Sequence, residues 1–132
     1  VRVFILTGDG ELQEGSNWEA MMSASHFKLD NLILIIDRNK LQLADKTETI
    51  MSLEPLREKI MSFGFQVYEI DGNDPHEIIH TIEKLDLNSG KPHAIIANTT
   101  KGKGISFIEG RSEWHHKIPV GDQIEKAIKE LE

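Results

Sequence analysis

The chain has 132 residues and a mass of 15.0 kDa, which is room for one ordinary domain. Its 22 acidic and 15 basic side chains give a formal charge of −7, whereas proteins that bind nucleic acid or anionic membranes usually carry a positive charge. The chain contains no cysteine, which excludes disulfides, thiol nucleophiles and cysteine-bound metals. No apolar run approaches the roughly 20 residues of a membrane-spanning helix. We therefore expect no nucleic-acid partner and no membrane partner.

The first six residues have the pattern of a strand that is already under way. The run VRVFIL opens without a methionine or a polar lead-in, and its apolar residues are typical of a buried strand. The run is too short and too poorly flanked to be a signal peptide. We expect residues 1–132 to be the later part of a single domain in a longer polypeptide.

Strand and helix patterns alternate along the chain. Predicted strands cover residues 3–7, 32–37, 65–70 and 93–98. Predicted helices begin at Ser16, Ser52, Asp74 and Asp122, and loops cover 38–49 and 99–120. This order predicts an α/β fold, in which a parallel sheet has helices on both faces. Ligands bind beyond the carboxyl ends of the strands in such sheets, so chemistry is expected after Thr7, Asp37 and Asn98.

Capping spacing and periodicity predict the helix boundaries and their buried faces. Ser16, Asp74 and Asp122 are each followed three residues later by a glutamate, as in a capping box. Gly64 is the expected end of the second helix. Trp18, Met21, Met22 and Leu29 lie roughly along one face of the first helix, and Ile124, Ala127, Ile128 and Leu131 lie on one side of the last. The expected buried stripe of the third helix consists of Ile78, Ile79, Ile82 and Leu85.

Gly8-Asp9-Gly10 follows the first predicted strand. Glycines let the backbone turn tightly and approach a ligand closely, and N–H groups near a helix start favour phosphate. The Asp9 carboxylate would repel phosphate unless a cation lay between them, so the motif indicates a phosphate–metal–carboxylate arrangement; a plain turn is the alternative. Gly10 is followed by ELQEG, which lacks the glycine spacing of the dinucleotide fingerprint and disfavours a nucleotide-binding Rossmann domain.

A second polar group, Asp37-Arg38-Asn39-Lys40-Leu41, ends the next predicted strand. Gly10 and Asn39 are far enough apart for one crossover helix and one strand, so the two strand ends can be neighbours. Asp9 and Asn39 could then share one Mg²⁺, a cation that takes six oxygen ligands from carboxylates, carbonyls, phosphates and water. An ordinary turn, in which Asn and Asp are common, is the alternative.

The two motifs together resemble the thiamine-diphosphate-binding motif. The stretch GDGELQEG…WEA…LDNLILIIDRNKLQ is similar to transketolases in particular, and above all to the N-terminal subunit of two-chain transketolases. The resemblance covers essentially the whole chain, which corresponds to the later part of the diphosphate-binding domain. It implies the three-layer α/β fold of that domain, truncated at its N-terminal side, with thiamine diphosphate and Mg²⁺ as cofactors.

The resemblance also implies roles for residues of the two motifs. The Asp9 carboxylate, the Asn39 side chain and the Leu41 backbone carbonyl would be Mg²⁺ ligands, together with two diphosphate oxygens and a water. Gly10 and Glu11 would lie against the diphosphate through their backbone. The cofactor-binding residues implied in this way are Gly8, Asp9, Gly10, Glu11, Asn39 and His115.

Three residues are implied to be catalytic. Glu14 stands where transketolases carry a glutamate at the subunit interface, in a proton network that reaches the partner active site; a solvated carboxylate at a helix start is the alternative. The active-site histidine of the family falls within the segment WHHKIP. The aromatic-His pattern favours His115, whereas the His-x-x-Pro spacing favours His116, which replaces the usual glycine.

The implied activity is transfer of a two-carbon ketol unit from a ketose phosphate to an aldose phosphate, in the cytoplasmic pentose phosphate pathway. The family's pyrimidine-contacting glutamate and its upstream histidines have no counterpart in this sequence. We therefore expect a C-terminal transketolase subunit or domain to carry the pyrimidine site. The expected assembly is a dimer or a heterotetramer that acts on sugar phosphates.

Other members of the same superfamily remain alternatives. Deoxyxylulose-phosphate synthase and the dehydrogenase component of 2-oxo acid complexes share the Gly-Asp-Gly…Asn pattern, but Gln13-Glu14-Gly15 and Trp114-His115 favour transketolase. A non-catalytic assembly domain of the same fold is a further alternative, which the intact Asp9 and Asn39 disfavour.

Overall fold

The computed structural model describes residues 1–43 and 45–132 as a four-stranded α/β domain. In chain order its elements are β1 (Val3–Gly8), a 3-10 helix (Gly10–Gln13), α1 (Gly15–His26), β2 (Leu32–Arg38), α2 (Thr47–Ile50), α3 (Leu56–Ser62), β3 (Gln66–Asp71), α4 (Pro75–Glu83), β4 (His93–Asn98), a second 3-10 helix (Ser112–His115) and α5 (Asp122–Leu131). Residue 44, in the predicted loop 38–49, lies outside the described residues. None of the helices described has the length and apolarity needed to cross a membrane.

All strand pairs in the sheet are parallel, and the strand order is β1-β2-β4-β3. Gly8 of β1 lies opposite Asp37 of β2, and Asn98 of β4 lies between Arg38 of β2 and Asp71 of β3. The two central strands are nearly continuous apolar runs, as expected for strands that are covered on both faces. The polar residues that follow these runs are therefore collected at the carboxyl edge of the sheet.

Helices cover both faces of the sheet, which confirms the predicted three-layer fold. Alternate residues of β2 and β4 point to opposite faces, as the two-residue period of a strand requires. One face packs against α1 and α3, and its core is built around Leu12, Met21, Leu34, Ile36, Leu56, Ile60 and Ile96. The other face packs against α4, and its core is built around Ile33, Ile70, Ile95 and Ala97, with Ile78 and Ile82 partly buried beside them.

One of the three predicted helix caps is present in the structure. The Asp74 side chain accepts a hydrogen bond from the backbone N–H of His76 at 2.8 Å and caps α4. The prediction was wrong for Ser16, because α1 already begins at Gly15 and no side chain caps it. It was also wrong for Asp122, which lies inside α5. The second predicted helix is shorter than expected and spans Leu56–Ser62, with the predicted Gly64 beyond its end at a φ of +91°.

Several apolar residues that were expected to be buried are exposed. Residues 3–6 of β1 are between 42% and 70% exposed, because β1 is an edge strand and no described element covers its outer side. The prediction of burial was likewise wrong for Met22 and Ile79. Leu29, Ile124, Ile128 and Leu131, which were predicted to share a helix face with other apolar residues, are exposed as well. The helical period predicts which residues share a face, but it does not specify that another part of the same chain covers that face.

Candidate cofactor and metal site

A cavity of about 440 Å³ lies at the carboxyl ends of β1 and β2. Its lining comes from residues 8–11, from Asp37, Asn39 and residues 41–43, and from Lys101 and His115. Every residue predicted to bind the cofactor or the metal is part of this lining. Of the three predicted catalytic residues, His115 lines the cavity, whereas Glu14 and His116 are outside it.

Asp9 is 1% exposed, and three hydrogen bonds hold its carboxylate. Oδ1 accepts from the backbone N–H of Gly10 at 2.8 Å. Oδ2 accepts from the backbone N–H of Lys40 at 2.7 Å and from Nη1 of Arg38 at 2.8 Å. Because a carboxylate offers about four lone-pair sites, Oδ2 is fully used and Oδ1 keeps one site for another ligand.

The side chain of Arg38 is buried and connects Asp9 to the segment after the site. Nη1 donates to Asp9 and to the Thr47 hydroxyl at 2.7 Å, and Nη2 donates to Glu48 at 2.7 Å and to Glu54 at 2.8 Å. Burial alone would lower the pKa of Arg38, but its hydrogen bonds to Glu54, Asp9 and Glu48 together raise that pKa. The guanidinium therefore stays charged in the interior.

Asn39 is fixed by two hydrogen bonds beside the same cavity. Its Nδ2 donates to Asp37 Oδ2 at 3.2 Å, and its Oδ1 accepts from the backbone N–H of Leu41 at 2.9 Å. Asp37 also accepts a hydrogen bond from the hydroxyl of Thr99, which follows β4. Since an amide oxygen has two lone pairs, Asn39 Oδ1 keeps one for a ligand. Asp9, Asn39 and Leu41 thus line one cavity, in which the carboxylate of Asp9 and the amide oxygen of Asn39 each keep a free lone pair.

The backbone at Gly10 borders the cavity without room for a side chain. A Cβ at residue 10 would lie 2.8 Å from Oε1 and 3.1 Å from Cβ of Gln42. Gln42 Oε1 is itself buried and has no hydrogen-bond partner among the described residues. A donor in the cavity, such as a metal-bound water, would satisfy this oxygen. The residues present therefore fit a hydrated cation with an anion close to the Gly10 backbone.

The charges around the cavity also favour a cation paired with an anion. Asp9, Glu11 and Asp37 are acidic, and Lys101 from a glycine–lysine loop is basic. Glu11 turns its Oε2 towards the backbone N–H of Gly8 at 3.2 Å. Three carboxylates would repel an anionic ligand unless a cation lay between them. In the part of the chain that the structure describes, no three His, Asp or Glu side chains form a metal site by themselves, so a metal here needs amide, carbonyl and ligand oxygens.

His115 lines the cavity from the end of the second 3-10 helix. The preceding Trp114 packs edge-on against Phe107, with ring centroids 5.5 Å apart, and this contact fixes the local backbone. Burial, together with the nearby Lys101 and His116, lowers the pKa of His115. The imidazole is therefore predominantly neutral at neutral pH, so one ring nitrogen can donate and the other can accept a hydrogen bond.

Glu14 and His116 are exposed residues outside the cavity. Glu14 is the residue before α1, and its side chain makes no capping hydrogen bond. The His116 ring stands edge-on to the His115 ring, with centroids 4.8 Å apart. The interface role of Glu14 stays a prediction, and so does the choice between the two histidines.

The sequence reasoning missed Arg38, Gln42 and Thr99. Arg38 follows the run LILIID, where a charged residue normally marks the exposed end of a strand, but here it is 2% exposed. Gln42 and Thr99 lie in segments that were predicted only as loops. The position of Thr99 directly after the last predicted strand is the one available signal, but its contact with Asp37 and the contact of Gln42 with Gly10 join positions that are distant in the chain.

A wider cleft of about 670 Å³ borders the carboxyl ends of β3 and β4. Its lining is polar and includes Asp71, Asn98 and Lys103. Neither Asp9 nor Asn39 lines this cleft, so the residues predicted to bind the metal line the smaller cavity.

Together these features define a parallel α/β domain with a cavity, lined by polar and charged residues, at the neighbouring ends of β1 and β2. The family model described as "Transketolase, thiamine diphosphate binding domain" matches residues 1–131. The chain therefore belongs to the transketolase family, and its residues 1–131 match the thiamine-diphosphate-binding domain of that family.

Relatives of known name are transketolases and their component subunits. The chain is 58% identical to an apulose-4-phosphate transketolase subunit from Actinobacillus succinogenes, over 98% of this chain and 47% of that protein. It is 42% identical to a 6-deoxy-6-sulfo-D-fructose transketolase subunit from a Clostridium species, over 98% of this chain and 47% of that protein. The crystal structure of Campylobacter jejuni transketolase superposes with a TM-score of 0.86 at 37% identity, over 97% of this chain and 20% of that chain. The chain thus spans about half the length of the two bacterial subunits.

Proposed function

We propose that this chain supplies the diphosphate- and Mg²⁺-binding part of a thiamine diphosphate site in a ketol-transferring enzyme. The reaction moves a two-carbon ketol unit from a ketose phosphate to an aldose phosphate. The observation that carries the proposal is that Asp9, Asn39 and Leu41 line one cavity together with Gly10, where a Cβ would lie 2.8 Å from Oε1 of Gln42. Membership of the transketolase family supports the same assignment.

In this proposal each lining residue has a defined task. Asp9 Oδ1, Asn39 Oδ1 and the Leu41 carbonyl hold Mg²⁺, and the cation neutralises a diphosphate that the acidic lining would otherwise repel. The backbone of Gly10 lies against the diphosphate. The ammonium of Lys101 adds a positive charge on the same cavity.

The reaction chemistry divides between cofactor and protein. When bound, thiamine diphosphate supplies the electron sink for breaking and forming the carbon–carbon bond. The neutral imidazole of His115 donates a hydrogen bond to an oxygen of the donor sugar or of the diphosphate and orients it. Glu14, exposed at the start of α1, contacts the partner chain and takes part in proton movement between active sites.

We further propose that a second polypeptide or domain completes the site. Support comes from relatives that are named as subunits of apulose-4-phosphate transketolases, which implies that each of them has a partner polypeptide. The partner would carry the pyrimidine site, in a dimer or a heterotetramer. A sugar phosphate is the expected substrate, and apulose 4-phosphate is the sugar to test first, because the relative with that activity in its name is 58% identical.

An assay of ketol transfer tests this function. The polypeptide that contains this chain is mixed with its partner polypeptide, thiamine diphosphate and Mg²⁺, and sugar phosphate products are quantified. We expect activity only with all components present, and a loss of at least about 100-fold for Asp9→Ala, because metal coordination contributes several kcal/mol. Asp122→Ala, an exposed aspartate away from the cavity, is the matched control and should retain activity.

Two outcomes would contradict the proposal. Unchanged activity in Asp9→Ala would contradict the assignment of Asp9 as a Mg²⁺ ligand. Tight cofactor binding without ketol transfer on any sugar phosphate would instead favour a non-catalytic assembly domain.

A further inference from the structure

We propose that Arg38 is a positioning residue for the metal site, because it holds Oδ2 of Asp9 and leaves Oδ1 directed to the metal. The inference rests on the proposed function, since it concerns the same Asp9 carboxylate. Arg38 is not one of the proposed metal ligands. Its loss should nevertheless weaken metal binding, although every proposed ligand would remain.

The contact between Arg38 and Asp9 is one-sided. Arginine–carboxylate pairs are frequently bidentate, with two parallel N–H···O bonds that occupy both oxygens. Here Nη1 reaches Oδ2 alone at 2.8 Å, and the same nitrogen also donates to the Thr47 hydroxyl at 2.7 Å. Nη2 is directed away from Asp9 to two glutamates. Arg38 therefore fixes one oxygen of Asp9 and does not compete for the other.

Burial makes this one-sided contact decisive for the orientation of Asp9. Arg38 is 2% exposed and Asp9 is 1% exposed, so water does not replace a lost partner easily. Without the guanidinium, Oδ2 would keep only the Lys40 N–H, and each carboxylate oxygen would then accept a single backbone hydrogen bond. The carboxylate would lose its preference for presenting Oδ1, and an uncompensated charge would remain in the interior.

The other end of Arg38 ties Asp9 to residues 47–54, a segment that lies outside the cavity lining. Thr47 is completely buried, whereas Glu48 and Glu54 are 34% and 54% exposed. The hydrogen bond from Arg38 is the largest contribution that lowers the pKa of Glu54, so this glutamate stays ionised and holds Nη2. This segment follows Gln42 and residue 43, which line the cavity.

Mn²⁺ binding tests the inference with a readout other than activity. The polypeptide that contains this chain, assembled with its partner and thiamine diphosphate, is titrated with Mn²⁺, and free Mn²⁺ is measured by electron paramagnetic resonance. Arg38→Met should raise the Mn²⁺ dissociation constant about tenfold or more, as losses of residues that orient metal ligands do. The Mn²⁺ dissociation constant of Arg38→Lys should lie between those of the wild type and Arg38→Met, because an ammonium restores the positive charge but not the planar pair of N–H donors of a guanidinium. Arg57→Met, an exposed arginine of α3, is the control and should match the wild type.

Gentler variants keep the inference testable if Arg38→Met fails to fold. Glu54→Gln, at a half-exposed position, and Thr47→Val each remove one partner of Arg38 and keep its charge. Each should raise the Mn²⁺ dissociation constant about threefold, and Glu54→Gln should do so with an unchanged melting temperature in the absence of metal. A folded Arg38→Met with wild-type Mn²⁺ affinity would overturn the inference, and so would wild-type affinity in both gentler variants.

Asp9→Asn separates this inference from the proposed function. If Asp9→Asn loses Mn²⁺ while Arg38→Met binds it normally, only the role of Arg38 is wrong. If the wild-type assembly itself binds no Mn²⁺ with thiamine diphosphate, the proposed function fails and the role of Arg38 fails with it.

Discussion

At the scale of single residues, the site depends on which oxygen lone pairs the fold leaves available. Asp9 and Asn39 are both held by neighbouring backbone N–H groups, from Gly10 and Lys40 in one case and from Leu41 in the other. These hydrogen bonds fix each side chain without exhausting its oxygens. The result is a pair of rigidly held oxygens with free lone pairs, which suits the proposed cation, because Mg²⁺ also takes oxygens from its bound anion and from water.

The adjacent histidines offer a direct test at the same scale. We expect His115→Ala to lower kcat/KM for ketol transfer about 10- to 100-fold, because its imidazole lines the cavity and a hydrogen bond to a charged group contributes about 1.5–3 kcal/mol. His116→Ala is the matched control and should change kcat/KM less than about twofold. Steady-state kinetics on the assembled protein measure both variants. A larger effect for His116→Ala would show that the active-site histidine is the second of the pair.

A buried histidine far from the site makes stability depend on pH. His93 is 0% exposed at the start of β4, and neither ring nitrogen has a hydrogen-bond partner among the described residues. Burial lowers the pKa of His93, an effect that Asp86 and Asp30 oppose only in part. Since the unfolded chain then takes up the proton first, stability falls as the pH drops below about 6.5, by at most about 1.4 kcal/mol per pH unit.

Replacement of His93 should remove this acid sensitivity. The free energy of unfolding of His93→Phe, measured by urea denaturation from pH 7.5 to 5.0, should decline less steeply than that of the wild type. His76→Phe, at an exposed histidine of α4, serves as the control and should keep the wild-type slope. Equal slopes in the wild type and His93→Phe would contradict the assignment.

The residues proposed to bind the metal and the diphosphate can be predicted from the local sequence, but the residues that pack against them cannot. Gly8-Asp9-Gly10 and Asn39 are recognisable because each follows directly after an apolar strand, and the parallel topology then brings them together. Arg38 and Gln42 are recognisable only in three dimensions. Arg38 is buried because its partners arrive from residues 47–54, and no periodic pattern in the sequence links these positions.

At the scale of elements, the loop after β4 is held in place by α5. Ser106 donates from its backbone N–H and its hydroxyl to Glu130 of α5, and the Lys126 ammonium lies 5.1 Å from the centroid of the Phe107 ring. The same loop contains Lys101, whose carbonyl accepts a hydrogen bond from the backbone N–H of Gly110 at 2.9 Å. The position of Lys101 on the cavity therefore depends on how this loop packs.

Substitution by alanine should destabilise the fold to different extents at two glycines of that loop, Gly102 and Gly110. Gly102 has a φ of +69°, and a Cβ there would lie 2.4 Å from Cγ2 and 3.3 Å from the backbone carbonyl carbon of Ile108. Gly102→Ala should therefore destabilise the fold by about 2–4 kcal/mol, from backbone strain and overpacking together. Gly110 has a φ of +71° with nothing within 4 Å of its Cβ position, so Gly110→Ala should cost about 1 kcal/mol. Chemical denaturation measures both, and equal costs would refute the role of Ile108.

The predicted bounds are most accurate for the strands that are buried on both faces. The bounds of β4 agree with the prediction, and β2 extends it by one residue, because both strands are covered on two faces and read as continuous apolar runs. The predicted starts at Ser16 and Asp122 agree with α1 and α5 to within one residue, but neither residue caps its helix as predicted, because both helices begin without a side-chain cap. Local capping spacing is common in sequences, and whether a side chain uses it depends on the backbone that precedes the helix.

At the scale of the whole molecule, the described residues leave an apolar surface for other protein to cover. The outer side of β1 and the exposed apolar residues of α5 are such surfaces. The chain spans 47% of the Actinobacillus succinogenes relative that is 58% identical to it. Both facts agree with a domain that works inside a larger assembly, while the cytoplasmic location and the pentose phosphate pathway stay predictions. The charge of −7 does not oppose a diphosphate cofactor, provided that a cation carries the contact.

The most direct test is a calorimetric titration of the assembled protein with thiamine diphosphate, with and without Mg²⁺. The proposed site predicts binding that requires Mg²⁺, that is weak for this chain alone, and that is lost in Asp9→Ala but retained in Asp122→Ala. Tight binding without a divalent cation, or binding by Asp9→Ala equal to that of the wild type, would contradict a diphosphate held through a metal on Asp9.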